Sequence, residues 1–75
     1  MRSDRERLLD ILEAVERIEA QAARGHATFV DDELAQTAVV RWVEIIGEAA
    51  RGLTDELRQA HPEVPWRQIV AMRTS

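Results

Sequence analysis

No cysteine occurs in the 75 residues, so disulfides and thiolate-ligated zinc sites are excluded. Lysine is absent as well: all ten basic residues are arginine, set against fourteen acidic ones for a net charge of −4. That acidic balance argues against a broad duplex-binding surface, which would be basic overall, but leaves room for a small arginine-lined phosphate site. No apolar run approaches the roughly 18 residues of a membrane helix. The opening MRSDRER leads straight into charge, where a secretory signal would carry an apolar stretch. The chain reads as soluble and cytoplasmic, with no membrane association and no cofactor motif.

What is present is a helix-friendly mixture: 45% hydrophobic and 32% charged residues, with only three glycines and two prolines. No repeat, low-complexity stretch or linker divides it, so residues 1–75 read as a single domain. A domain of this size buries only about 60–65% of its unfolded surface, and its core rarely nets more than about 3–5 kcal/mol. Such a chain gains by hiding apolar surface against a partner or a second copy of itself.

Helical periodicity runs through almost every segment. SDRE at residues 3–6 is a capping box that starts a first helix from Ser3 to about Arg24, with Gly25 as its stop. Leu8, Ile11, Val15, Ile18 and Ala22 recur at steps of three and four, and Leu12 widens the stripe. Thr28 or Asp31 is expected to cap a second helix from about Phe29 to Arg51, closed by Gly52. Its broad apolar face takes in Leu34, Ala35, Ala38, Val39, Trp42, Ile45, Ile46, Ala49 and Ala50. Val40, Val43 and Gly47 add a narrower seam. A helix apolar over more than half its circumference has more than one neighbour, so this one is expected to be central. Thr54 caps a short third helix, and Pro62 and Pro65 break the chain before a fourth that starts at Trp66. The expected fold is an all-α, antiparallel up-and-down helical bundle.

In the fourth helix, positions 66, 69, 70 and 73 share one face, and the last of them is Arg73. An unpaired buried charge costs several kcal/mol. Either Arg73 snorkels into water at a chain end, or its guanidinium waits in a cleft for a carboxylate or phosphate.

The blocks RERLLDILEAVERIE, AVVRWVEIIGEAARGL and HPEVPWRQIVAMR are similar, in order and spacing, to consecutive blocks of the HepT-like toxins of the HEPN–MNT toxin–antitoxin systems. EIIGEAA and P-x-V-P-W-x-x-I-x-x-M-R are the specific parts. The resemblance implies a HEPN-like bundle, a metal-independent ribonuclease activity, RNA as substrate, homodimers with their sites facing a shared cleft, and a minimal nucleotidyltransferase antitoxin as partner. It also implies a site written R-x4-H-x-Y, in which Arg73 takes the arginine position. Thr74 stands where asparagine is usual, and the motif histidine and tyrosine do not occur after Arg73 in this sequence. The expectation is therefore a bundle lacking its C-terminal part, with impaired catalysis. The rival reading is a non-catalytic helical module that binds the nucleotidyltransferase or a sibling subunit.

Other residues carry two readings each. Glu48, on the polar flank of the second helix, is either a solvated residue near Arg51 or a carboxylate that orients Arg73. Glu19 falls inside the apolar stripe of the first helix, where it reaches water or offers Arg73 a second partner. His26 and His61 lack motif spacing to Arg73 and read as loop or capping residues, and the two make no metal-ligand pattern. Trp42 and Trp66, at helical spacing among aliphatics, read as core anchors rather than base-stacking platforms. Arg2, Arg5 and Arg7 alternate with Asp4 and Glu6 and read as a solvated helix end.

Overall fold

A computed structural model describes residues 2–71 of the chain. Two long helices dominate it. Helix α1 spans Asp4–Ala23 and α3 spans Glu33–Arg51; the short α2 (His26–Val30), α4 (Asp55–Ala60) and α5 (Trp66–Ala71) fill in around them. Helices α1 and α3 pack antiparallel, and α3 also contacts α2 and α5, which makes it the central element. Among the described residues there is no strand, and no helix is long and apolar enough to cross a membrane.

Each boundary has a local cause. Ser3 Oγ accepts from the Glu6 amide at 3.2 Å while Glu6 accepts from the Ser3 amide at 3.1 Å, which completes the capping box at the start of α1. Gly25 ends α1 with φ of 97°, a backbone state that strains any residue with a Cβ. The Thr54 hydroxyl accepts from the Leu57 amide and so caps α4. At the head of α5, the Ile69 amide donates to the Pro65 carbonyl. The Trp66 indole N–H donates to the Arg58 and His61 carbonyls, tying α5 to the open end of α4.

The expected second helix from Phe29 is in fact two helices. α2 stops at Val30, and α3 begins after Asp32, not after Thr28 or Asp31, because the Asp32 carboxylate accepts from the Ala35 amide at 3.1 Å. The Gln36 side chain then donates to the Phe29 and Val30 carbonyls that the end of α2 leaves open. A break that would otherwise expose backbone acceptors is thereby sealed.

The core lies mainly between α1 and the second half of α3, where Ala14, Ile46, Ala49 and Ala50 are buried, with Leu53 just after α3 and Ala35 near its start. Small residues fill most of these places, so the two long helices approach closely. Gly47 is also buried. It costs roughly 1 kcal/mol of helix propensity relative to alanine. Leu34 and Val40, expected on inward faces, are instead exposed.

Candidate functional site

Glu48 projects from the polar flank of α3 into an open groove of about 650 Å³ between α3 and α1. The side chain is exposed, as the flank position predicts. Trp42, Ile45, Ala14 and Ala49 form the apolar part of the groove, and charged side chains of both signs rim it. From α1 and the segment before it come Arg2, Arg7, Asp10, Glu13 and Arg17; from α3 come Arg41, Glu44 and Glu48. Two of the cations are internally neutralised. Arg2 pairs with Asp10, and Arg17 donates from two nitrogens to Glu13 at 3.2 and 2.9 Å.

Arg7 departs from the solvated helix end expected of the basic start. Arg2 and Arg5 are exposed, but Arg7 is half-buried, and its Nε is buried with no hydrogen-bond partner among the described residues. Its guanidinium lies on Gly52, where an added Cβ would fall 1.8 Å from a terminal nitrogen. A glycine at the end of α3 therefore gives this cation its place beside the helix C-terminus, where the dipole favours positive charge. One turn earlier, Asp4 accepts from the Thr54 amide at 3.0 Å and from the Thr54 hydroxyl at 2.6 Å. These two donations, the hydroxyl first, hold the Asp4 carboxyl below its ordinary range.

Arg73, the principal site residue expected from the sequence, lies outside the described residues. Helix α5, which leads toward it, packs on α3, the helix that carries Glu48. Glu19 is exposed on α1. His61 closes α4, with its ring Nδ1 3.2 Å from Glu63, and His26 opens α2 on the surface. Trp66 is anchored through its indole, whereas Trp42 is half-buried and lines the groove. The groove itself was not anticipated. The only advance signs were separate ones: the Glu13–Arg17 spacing on α1 and the Arg41, Glu44, Glu48 flank of α3.

Antiparallel α1 and α3, with a groove rimmed by charged side chains between them, define a small helical bundle with a polar cleft. Comparison with known proteins gives the family. The chain matches the family model described as Ribonuclease HepT-like over residues 11–74, and it belongs to that family. It is 41% identical over 73 residues to a Thermococcus cleftensis protein named Probable ribonuclease HepT, covering 96% of this chain and 66% of that one. An RNase-named protein of Caldanaerobacter subterraneus subsp. tengcongensis is 40% identical over 74 residues, covering 97% and 66%. One from Methanocaldococcus jannaschii is 37% identical over 67 residues, covering 88% and 62%. The chain thus spans just under two thirds of the length of these relatives. No solved structure gives a significant match.

Proposed function

We propose that this chain belongs to the ribonuclease toxin of a HEPN–MNT toxin–antitoxin pair, and that Arg73 is the phosphate-binding cation of the site, with Glu48 orienting it. The observation that carries the reading is the family match across residues 11–74, a span that includes both residues. Metal-independent RNA cleavage needs a base for the 2′-hydroxyl, an acid for the leaving oxygen and a cation for the charge that builds on phosphorus. Histidine suits the two proton steps because its pKa lies near neutrality. Arginine suits the third because its planar fork stays ionised.

Residues 1–75 supply the arginine and the carboxylate without the motif histidine or the tyrosine. Lack of one such group costs about two to four powers of ten in rate, so a polypeptide of residues 1–75 alone is expected to cleave RNA poorly. The second reading, a module that binds the nucleotidyltransferase antitoxin, draws on the apolar surface that α1 leaves exposed.

The test is cleavage of a labelled RNA in the presence of a chelator. The 75-residue chain and its Arg73→Ala variant should both stay at background. A chimera that continues after Ser75 with the C-terminal third of the Thermococcus cleftensis relative should cleave, and should lose that activity with Arg73→Ala. Robust arginine-dependent cleavage by residues 1–75 alone would refute the need for those proton-transfer groups. A chimera indifferent to Arg73→Ala would refute the assigned role.

A further inference from the structure

Some side chains of the α1–α3 groove remain unanswered once its internal pairs are set aside. Arg2 is met by Asp10 and Arg17 by Glu13, and Glu48 belongs to the Arg73 reading. Arg7, Arg41 and Glu44 are left, with Trp42 beside them. Arg7 and Glu44 are half-buried and Arg41 is exposed, and none of the three takes part in an ion pair among the described residues. Asp4 is near enough to feel the charge of Arg7, but its two oxygens accept from Thr54. The Arg7 Nε is buried without a hydrogen-bond partner, and a partly buried guanidinium is costly to leave unanswered. Glu44 is the converse case, a half-buried carboxylate that accepts no hydrogen bond among the described residues.

Phosphate oxygens call for a cation with a planar fork, a base face for an aromatic ring, and a base edge rich in N–H for an acceptor. Arg41 stands eleven residues before Gly52, against which Arg7 lies. About 16 Å of helix separates these two points, and Trp42 and Glu44 fall between them. We infer that the groove is a subsite for single-stranded RNA. Arg7 and Arg41 hold phosphates on either side of a base that stacks on Trp42, and Glu44 reads the edge of that base. The inference rests on the ribonuclease reading for its ligand and names the form and the base that the site takes. Two features decide for a single strand. The four carboxylates on the rim repel the dense charge of a duplex backbone, and a splayed, stacked base exists only in unpaired RNA. Glu44 then selects the base, because an ionised carboxylate only accepts. Guanine presents two adjacent N–H donors on its Watson–Crick edge, a bidentate match. Uracil sets a single N–H between two carbonyl oxygens, which the carboxylate repels. Guanine is the favoured occupant and uracil the least favoured.

The test is a fluorescence-anisotropy titration of residues 1–75 with labelled RNAs of equal length, one all uridine and one alternating guanosine with uridine. The alternating RNA should bind about tenfold more tightly. Glu44→Gln should bring the two within about twofold, because an amide offers uracil a donor as well as an acceptor. Arg41→Gln, at an exposed position, should weaken both RNAs alike and lower the salt dependence of binding. Arg7→Gln should do the same, with circular dichroism checking that the helices survive. Equal affinity for the two RNAs, or a preference untouched by Glu44→Gln, would overturn the inference. So would tighter binding of a duplex or of a glutamate-rich peptide. The two readings fail separately. A chimera that cleaves through Arg73 but ignores Glu44 sinks only the subsite, whereas guanine-selective binding with a silent chimera upholds the subsite and sinks the nuclease.

Discussion

Ala35 is the one buried residue in the first half of α3, whereas Ile46, Gly47, Ala49 and Ala50 are all buried in the second. Both halves carry apolar residues at helical spacing, so the difference comes from what stands against them. The second half faces the start of α1 and leads into a turn held at two points, by Asp4 on Thr54 and by Arg7 on Gly52. The first half has the five-residue α2 at its head, and there Leu34 is 83% exposed and Val30 is 54% exposed. An amphipathic pattern states which side of a helix is able to be buried. Whether it is buried depends on a neighbour long enough to reach it.

The sharpest way to break this contrast is Leu53→Ala, at the well-covered end. Leu53 is 3% exposed, and truncating a buried leucine costs about 2–5 kcal/mol. That rivals the roughly 3–5 kcal/mol that a core of this size rarely exceeds. A urea or thermal melt followed by circular dichroism should find the variant largely unfolded at 25 °C. A cooperative transition near that of the unmodified chain would mean that the core lies elsewhere.

Thr54→Val keeps the shape of the same end but removes one hydroxyl with two tasks, capping Leu57 and donating to Asp4. A loss of about 1 kcal/mol is expected at pH 7. The pH dependence has a definite sign. The Asp4 carboxyl is depressed in the folded state, first by the Thr54 hydroxyl and then by its amide. Its contribution is therefore complete above the unfolded value of about 3.9 and is lost as pH falls through the lower folded value. The gap between Thr54→Val and the unmodified chain should accordingly narrow below about pH 4, leaving the capping share. A gap constant from pH 7 to pH 2 would show that Asp4 contributes nothing.

The smallest effect belongs at the open end. Leu34→Gln should change stability by less than about 0.5 kcal/mol, because the side chain has almost no burial to lose. A large loss in the same melt would reveal a neighbour covering that end in solution, and would erase the contrast between the two halves.

Much of the architecture was legible in the residues. The Ser3–Glu6 box, the Gly25 stop and the Thr54 cap each depend on atoms within a few positions of one another, so reading them requires no tertiary knowledge. The break before α3 was not legible, because Thr28, Asp31 and Asp32 all have capping chemistry. The choice fell to Asp32 through the reach of Gln36 back to Phe29 and Val30, a contact across six and seven residues. In the candidate site, the polar flank that holds Glu48 followed from helical winding alone. Its company of Arg7, Asp10 and Arg17 did not, since those residues come from the other long helix. Arg73 stood out by its position on an apolar stripe, and its assignment to a phosphate came through family resemblance.

Short-range chemistry therefore determined where three of the helices begin, α1, α4 and α5, which faces are apolar and which family the chain resembles, because capping and periodicity act within one or two turns. Only the tertiary structure decided which apolar faces find cover, that Arg7 lies against the end of α3, and that the Leu8–Leu12–Val15 seam remains exposed. Those outcomes depend on how far each helix extends beside another and on the space a glycine leaves, quantities that exist only once distant segments meet.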